Sequence, residues 1–365
     1  MPAQGVRWKT VTRTVSVVGG GVVGLSVAWR AAQHGWAVTL YDPAIGSGAS
    51  WVAGGMLAPL SEGWPGEEAA LAFGAASLQR WPGFGAELER LAGVRLFTSD
   101  DSLTVALDAA DAADLHTIAE FAATQGHELA VLNRAQIREL EPSLGRGIRM
   151  ALHAPTEQAV DNRLLVQALR TAVVAAGVQL VERSVTDLDA LTTDQVVLAA
   201  GSHAAQLWPG LPVRPVKGEI LRLRARPGVT PAPGRTIRGT VHGRPSYLVP
   251  RADGIVVGAT QYEHGYDTQV TVAGVRDLIA DAEALMPAIG EYELYEAKAG
   301  LRPMSPDNLP IIGRVSDRVV LATGHGRNGV LMTPLTADAA VAILGGTPPA
   351  EAESASPERF SRVMA

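Results

Sequence analysis

Three glycines and one aspartate have the types and spacing that suit binding of a pyrophosphate. Gly19, Gly21 and Gly24 follow a short apolar run in the spacing G-x-G-x-x-G, and Asp42 comes 18 residues after the last glycine. In this pattern the first glycine permits a tight turn, the second lets the backbone approach a pyrophosphate, and the third lets a helix pack against the strand. Asp42 is expected to accept hydrogen bonds from ribose hydroxyls. The pattern predicts a dinucleotide site; the alternative is a glycine-rich turn that binds nothing.

An arginine in the second half of the chain could bind a substrate. Arg302 ends a predicted strand and is followed by Pro303, and its planar guanidinium could hold a carboxylate by two parallel hydrogen bonds. Tyr247 lies on another predicted strand, and its role at a site is only what the family resemblance described below implies. The alternatives are an arginine that pairs with a structural acid and a tyrosine that is simply packed.

Two segments of small residues could lie beside a flat ligand. Residues 46–59 read GSGASWVAGGMLAP, and such a segment can pass close to a ligand without intervening side chains. Residues 322–330 read ATGHGRNGV and join a predicted strand to the last helix, where backbone N–H groups are open to an anionic ligand. The alternatives are a flexible loop and an ordinary strand–helix turn.

The elements that must position these residues follow from hydrophobic periodicity. A strand, a helix over residues 22–33 and a second strand over 37–41 form the nucleotide-binding unit, and apolar strands at 196–200 and 319–322 return to its sheet. From 213 to 301 short alternating runs separated by turn residues predict an antiparallel sheet. Further predicted helices cover residues 67–91, divided at Pro82, and 111–125, 134–140, 163–176, 272–285 and 328–344. The tail after residue 346 is rich in Pro, Glu and Ser and is predicted to be mobile.

Composition excludes several classes of function. The 365 residues carry a net charge of −6 with Lys and Arg spread along the chain, so no nucleic-acid-binding or anionic-membrane patch is expected. The absence of cysteine excludes disulfides, Cys-metal sites and thiol catalysis, and no metal site is expected. We find no signal peptide and no apolar run of membrane-spanning length, which favours a cytoplasmic location.

These motifs together resemble the D-amino acid oxidase family of FAD flavoproteins. The resemblance rests on the glycine fingerprint, GSGASWVAGGMLAP, YLVPRADGIVVGAT from Tyr247, GLRP with PDNLPIIG, and ATGHGRNGVLMTP, and runs from about residue 15 to 344. It implies an α/β fold (α+β overall), in which a Rossmann-like FAD-binding domain is interleaved with a substrate domain built on a large antiparallel sheet. The expected division assigns 14–65, 150–212 and 300–345 to the FAD-binding domain, 66–149 and 213–299 to the substrate domain, and 1–13 and 346–365 to terminal extensions.

The resemblance also implies roles for individual residues. FAD is expected to be non-covalent, and Arg302, Tyr247 and Arg327 are the expected catalytic and substrate-binding residues. Met304 departs from the glycine expected after GLRP, which affects the shape of the pocket. The expected cofactor-binding residues are Gly19, Gly21, Val22, Val23, Gly24, Asp42, Ala49, Ser50, Gly54, Gly55, Met56, Val185, Gly201, His325, Gly326, Arg327, Asn328, Gly329, Val330 and Leu331.

The activity implied by the resemblance is oxidative deamination of glycine or small related amines, such as sarcosine or D-alanine. Hydride transfer to flavin N5 would give an imine, which water converts to glyoxylate and ammonia, while oxygen is reduced to hydrogen peroxide. The resemblance also implies a role in thiamine thiazole synthesis. The alternatives are a D-amino acid or sarcosine oxidase or dehydrogenase of the same fold, and a flavin-binding protein without activity. A homo-oligomer, a tetramer by resemblance, is expected.

Overall fold

The computed structural model describes residues 13–361 and contains two large sheets with helices packed around them. The helices, in chain order, are Val22–Gln33 (α1), Ala49–Val52 (α2), Glu68–Leu78 (α3), Trp81–Ala92 (α4), Ala109–Thr124 (α5), Arg134–Leu140 (α6), Asn162–Ala175 (α7), Ala204–Leu207 (α8), Val272–Leu285 (α9) and Gly329–Gly345 (α10). The strands are Thr14–Val18 (β1), Ala37–Tyr41 (β2), Phe97–Ser99 (β3), Ser102–Ala106 (β4), Ala130–Asn133 (β5), Met150–Ala154 (β6), Ala159–Val160 (β7), Gln179–Val181 (β8), Gln195–Leu198 (β9), Arg214–Arg224 (β10), Thr236–Val241 (β11), Arg244–Arg251 (β12), Gly254–Gly258 (β13), Glu293–Met304 (β14), Ile311–Arg314 (β15) and Val319–Thr323 (β16).

The first sheet has six strands in the order β15-β16-β9-β1-β2-β8, and β1 at its centre pairs in parallel with both β2 and β9. Only the edge strand β15 runs antiparallel to its neighbour. Helices α1, α7 and α10 share one core with this sheet, in which Val17, Leu25 and Leu335 are fully buried. A buried parallel sheet covered by helices is the arrangement expected for a doubly wound nucleotide-binding fold.

The second sheet has eight strands in the order β14-β10-β13-β12-β11-β4-β6-β5. It is antiparallel except where β11 pairs in parallel with β4. Since residues that face each other across paired strands lie on the same side of a sheet, the strand register puts a row of side chains on one face. This row runs through Lys298, Ile220, Gly258, Tyr247, Arg238 and Thr104.

Most elements predicted from periodicity are confirmed. Helices α6 and α9 have the predicted bounds, and the helical pattern over 67–91 divides into α3 and α4, with Pro82 in the first turn of α4. Proline is accepted at that position because its missing N–H would have no partner there. The interleaved two-sheet fold is also as expected. The exact domain division stays a prediction. Strand β6 and residues 300–304 at the end of β14 were expected in the FAD-binding domain but belong to the eight-stranded sheet.

The prediction of a mobile tail after residue 346 is wrong for residues 350–360. Two short 3₁₀ helices, Ala350–Ala355 and Pro357–Phe360, follow α10, and Ala352 and Ala355 are buried in the core of the first sheet. Arg359 binds Asp307 with N–O distances of 2.7 and 3.2 Å. The content of Pro, Glu and Ser suggested mobility, but the alanines between the charged residues, Ala352 and Ala355, pack into the core and hold the segment in place.

Over residues 13–361, no single helix has the length and apolarity needed to cross a membrane, although α10 and the bent 3₁₀ segment after it pass that test as a pair. The same range contains no group of three or more His, Cys, Asp or Glu side chains that could hold a metal ion.

Candidate active site

The glycine turn has the geometry that its spacing predicts. Gly19 has φ +111°, a conformation that side chains disfavour, and a Cβ atom there would lie 2.3 Å from the carbonyl oxygen of Ala199. A Cβ on Gly24 would lie 1.9 Å from the carbonyl oxygen of Gly19, so the helix packs directly on the turn. Gly21 caps α1 without a side-chain hydrogen bond and faces the cavity. This helix end suits an anionic phosphate group.

Asp42 stabilises the same turn from the end of β2. Its Oδ2 accepts from the Gly20 amide and its Oδ1 from the Ala44 amide, both at 2.7 Å. Carboxylate oxygens have further lone pairs, and Asp42 also lines the cavity, so its predicted role toward ribose is compatible with these bonds.

The segment 49–56 lies between the two sheets and is held from both sides. Ser50 Oγ accepts from the Val22 amide at 3.0 Å, which ties the segment to the start of α1. Asn162 Nδ2 donates to the Ser50 carbonyl at 2.9 Å, and a guanidinium N–H of Arg251 donates to the Gly54 carbonyl at 2.7 Å. These contacts fix the backbone that the sequence predicts to run along the cofactor.

Arg302 projects from the end of β14 toward the cavity. One guanidinium N–H donates to the Thr260 carbonyl at 3.1 Å, and no acid in residues 13–361 lies within ion-pair distance of it. Burial lowers the pKa of Arg302, and nearby Tyr247 acts in the opposite direction. A half-buried guanidinium without a carboxylate partner is suited to bind a carboxylate from the ligand.

Tyr247 lies between two glycines. A Cβ on Gly258 would approach its ring and hydroxyl to 2.2 Å, and one on Gly54 would approach its ring to 3.0 Å. Burial raises the pKa of Tyr247, so the phenol stays protonated and can donate a hydrogen bond. Both Tyr247 and Arg302 line the cavity, and their predicted contact with a substrate stays a prediction.

An ion pair that the sequence did not reveal lies beside them. Arg238 faces Tyr247 across β11 and β12, and it donates to Glu62 Oε1 at 2.5 Å and to Ser61 Oγ at 3.0 Å. Burial by itself would raise the pKa of Glu62, but the neighbouring arginines Arg238, Arg327 and Arg302 outweigh it and hold the pKa below its usual range. Glu62 is therefore ionised at the substrate end of the cavity.

The segment before α10, residues 325–328, lines the cavity mainly with its backbone rather than with its side chains. The imidazole of His325 points into the core, where Nε2 lies 3.0 Å from Thr336 Oγ1, and burial lowers its pKa to about 3. Leu331 does not line the cavity, because it packs in the core and its carbonyl accepts from Ser77 and Trp81. Arg327 is exposed at the cavity and forms no ion pair with any residue of the described chain.

One cavity of about 1630 Å³ brings these parts together. A drug-sized ligand fills about 300–1,000 Å³, so this volume accommodates a dinucleotide together with a small substrate. Of the residues expected to bind cofactor or substrate, only Gly24 and Leu331 do not line it. Gly24 instead supports the glycine turn by close packing.

Among the lining residues that the sequence did not predict, Gly218, Glu62 and Arg238 bear directly on the substrate end of the cavity. Gly218 would place a Cβ 2.5 Å from the guanidinium of Arg302, so only glycine leaves the room that this side chain occupies. Glu62 and Arg238 are separated by 176 residues, and their contact depends on sheet pairing that no local pattern encodes. An acid next to the small-residue segment was the only signal available for Glu62.

A Rossmann-type dinucleotide site that opens onto an arginine-bearing antiparallel sheet defines a dinucleotide-dependent oxidoreductase. The similarity of the chain to known protein families agrees with this class. The signature of the DAO family, described as FAD dependent oxidoreductase, matches residues 14–343. The chain belongs to this family, and FAD is its cofactor.

The known proteins that resemble the chain include ThiO/ThiG proteins and glycine oxidases. It is 33% identical over 350 residues to the bifunctional protein ThiO/ThiG of Synechocystis sp., an alignment covering 89% of this chain and 50% of that protein. The chain thus spans about half the length of the ThiO/ThiG relatives. It is 30% identical to the glycine oxidase of Geobacillus kaustophilus, covering 88% of this chain and 90% of that protein. The crystal structure of glycine oxidase from Geobacillus kaustophilus superposes with a TM-score of 0.87 at 28% identity, over 94% of this chain and 98% of that one.

Proposed function

We propose that the chain is an FAD-dependent oxidase that deaminates glycine and small amines such as sarcosine or D-alanine. The observation that carries this proposal is the half-buried guanidinium of Arg302, which faces the cavity without a carboxylate partner in the described chain and lies beside Tyr247. An α-carboxylate supplies the missing anion, and the phenol of Tyr247 supplies a second donor to it. The name of the glycine oxidase relative supports this substrate class. The name of another relative, the putative thiamine biosynthesis oxidoreductase ThiO of Rhizobium etli, supports a role in thiamine synthesis.

The residues that line the cavity fit FAD. Gly19, Gly21 and the start of α1 would hold the pyrophosphate, and the backbone of segment 49–56 and of residues 324–329 would lie along the flavin. When bound, FAD supplies the acceptor for the two electrons that leave the amine. The other proposed cofactor contacts are those of Asp42, Val185 and Gly201, which also line the cavity.

The protein's contribution to the reaction is orientation and electrostatics. Arg302 and Tyr247 fix the carboxylate, so the Cα–H bond of a small amino acid has one orientation in the cavity. Arg327 adds positive charge at the same end. The overall reaction converts glycine, oxygen and water to glyoxylate, ammonia and hydrogen peroxide. The enzyme reaction itself gives the imino acid, which water hydrolyses.

An anaerobic titration of the purified yellow protein tests the proposal. Glycine, sarcosine and D-alanine are added in turn while the flavin absorbance is followed. We expect glycine to bleach the flavin band and hydrogen peroxide to form when air returns. Bleaching by D-alanine alone would favour a D-amino acid oxidase of the same fold, and bleaching without peroxide formation would favour a dehydrogenase. No bleaching by any amine would contradict the proposed function.

A further inference from the structure

The carboxylate of Glu62 is an incompletely satisfied acceptor beside the residues proposed to bind substrate. Its side chain is 10% exposed and lines the cavity. Oε1 accepts from Arg238, whereas Oε2 is buried and has no hydrogen-bond partner within residues 13–361. The side chain of Asn328 lies near this carboxylate and helps to lower the pKa of Glu62. A buried ionised oxygen without a donor is costly, and such a group is expected to gain a partner when the site is filled.

The position of Glu62 is fixed by a second buried acid. Glu157 accepts from the Leu60 amide at 2.6 Å, and from the Ser61 amide and hydroxyl at 2.8 and 2.5 Å. Ser102 donates a fourth hydrogen bond at 2.8 Å. The backbone immediately before Glu62 is therefore held rigidly, which keeps the carboxylate at the cavity wall and limits its ability to turn toward solvent.

The charges at this end of the cavity match a zwitterion. Arg302 and Arg327 carry positive charge that no acid in the described chain pairs within ion-pair distance, while Arg238 is paired with Glu62. An amino acid bound by its carboxylate at Arg302 brings an ammonium group into the same positive surroundings. Without an acceptor, that ammonium would lose its hydration and be repelled by the arginines.

We propose that Glu62 recognises the amino group of the substrate, with Oε2 accepting a hydrogen bond from the ammonium while Arg302 holds the carboxylate. This inference rests on the proposed function and names the group that selects amino acids over carboxylic acids of the same size. Arg238 donates to the other carboxylate oxygen, while the hydrogen bonds of Glu157 fix the backbone that positions Glu62. The ammonium passes one proton to solvent water before the neutral amine is oxidised, and Glu62 serves in binding.

The test compares glycine with glycolate, which has the same size and carboxylate but a hydroxyl in place of the ammonium. In the holoenzyme, the apparent Kd for glycine comes from the anaerobic rate of flavin reduction, and the Kd for glycolate from the shift of the flavin spectrum. In the variant Glu62→Gln we expect glycine binding to weaken about 10- to 100-fold, the range for losing a hydrogen bond to a charged group. Glycolate binding should change by less than about threefold, because its hydroxyl can use the amide as acceptor.

Two further variants separate recognition from structure. Arg238→Gln breaks the same ion pair but keeps the carboxylate, so the preference for glycine over glycolate should persist even if both bind more weakly. Glu62→Asp keeps the charge on a shorter side chain and should retain more of the preference than Glu62→Gln. If Glu62→Gln does not bind flavin, Glu62→Asp carries the test, because its shorter side chain should weaken the binding of glycine more than that of glycolate. Equal weakening of both in Glu62→Asp would overturn the proposal.

The outcomes distinguish this inference from the proposed function. Equal weakening of glycine and glycolate in Glu62→Gln, or loss of the preference in Arg238→Gln as well, would overturn the role of Glu62 while the wild-type enzyme still oxidises glycine. If the wild type responds to D-alanine and not to glycine, the glycine preference fails, and the same comparison with D-alanine and D-lactate decides the role of Glu62. A wild-type flavin that no amino acid reduces would refute both proposals.

Discussion

At the scale of single residues, the position and charge of Arg302 depend on two absences, a side chain at Gly218 and an acidic partner in the described chain, and on one hydrogen bond. Its guanidinium lies over Gly218 and touches no acid within residues 13–361. The polar contact that fixes it is the carbonyl of Thr260. The guanidinium is therefore held in place without being neutralised, which is the state that a carboxylate-binding arginine requires.

Replacing Arg302 by alanine should raise KM for the amino acid by about 100-fold or more, since two charge-assisted hydrogen bonds are lost. FAD should remain bound, because the cofactor end of the cavity is formed by other elements. Steady-state kinetics together with the flavin absorbance of the purified variant measure both effects. In the variant Arg302→Lys, which keeps the charge but not the planar fork, KM should lie between the two. An unchanged KM in Arg302→Ala would contradict the assignment.

Gly218→Ala should move Arg302 without unfolding the protein. The added Cβ would lie 2.5 Å from the end of a long side chain, which can shift, so the cost is displacement of the guanidinium. We expect KM to rise about tenfold and Tm to change by only a few degrees. The matched control is Gly83→Ala, where nothing lies within 4 Å of the new Cβ. Wild-type KM in Gly218→Ala would show that the guanidinium position is not limiting.

Residue-level reasoning from sequence reached Arg302, Tyr247 and the glycine turn because each lies in a local motif. It missed Glu62 and Arg238, whose partnership exists only after β11 and the segment at residue 62 come together in space. The predicted cofactor contact of His325 stays a prediction, since the residue lines the cavity while its imidazole points to Thr336. A local pattern identifies a backbone path, whereas the direction of a buried side chain is decided by packing on the other side of that path.

At the scale of elements, a chain of hydrogen bonds links the two sheets through the cofactor-lining segment. Arg222 on β10 and Arg251 on β12 both donate to Asn162 Oδ1, at 3.0 and 3.2 Å. Asn162 donates in turn to the Ser50 carbonyl, and Ser50 Oγ receives the Val22 amide at the start of α1. The buried asparagine thus links the position of the eight-stranded sheet to the glycine turn.

Asn162→Ala should weaken FAD binding about tenfold and lower stability by about 1–3 kcal/mol, because buried donors and acceptors are left without partners. Titration of the apoprotein with FAD, followed by flavin fluorescence, measures the affinity. Asn133→Ala is the matched control, since Asn133 caps α6 and its loss should cost about 1 kcal/mol of stability without touching the cavity. Equal FAD affinities for the two variants would rule out the relay.

The elements themselves were largely predictable, because periodicity reports burial along one helix or strand. Helices α6 and α9 needed only their apolar spacing and end signals. The short strands β5 to β7 and the strand β11 were missed, since their sequences carry too few residues or too little alternation to show a period. Their place in a sheet is decided by partners far away in sequence.

At the scale of the whole molecule, acid should destabilise the fold through His325. Its pKa falls from 6.5 to about 3 on burial, so between these values the unfolded chain binds a proton that the folded chain does not. The contribution of His325 is therefore unfavourable and grows as pH falls below about 6.5, by at most about 1.4 kcal/mol per pH unit.

The free energy of unfolding of the variant His325→Gln should consequently fall less between pH 7 and pH 5 than that of the wild type. The difference between the two proteins should be up to about 2 kcal/mol. Parallel denaturation curves at the two pH values provide the measurement. His116→Gln, on the exposed face of α5, should keep the wild-type response. Identical pH dependence in His325→Gln and the wild type would contradict a buried neutral imidazole.

The two glycines around Tyr247 constrain how the enzyme can evolve. A larger residue at position 258 would collide with the aromatic ring, and one at position 54 would require the ring to shift by a few tenths of an ångström, so Gly258 cannot change before Tyr247. Tyr247 itself can be exchanged for a smaller side chain but not a larger one while both glycines remain. Mutational paths toward bulkier substrates must therefore begin at Tyr247 or at the open side near Arg327. The order in which these positions change is thus dictated by sterics, and a library that varies all three together should contain active combinations that stepwise substitution never reaches.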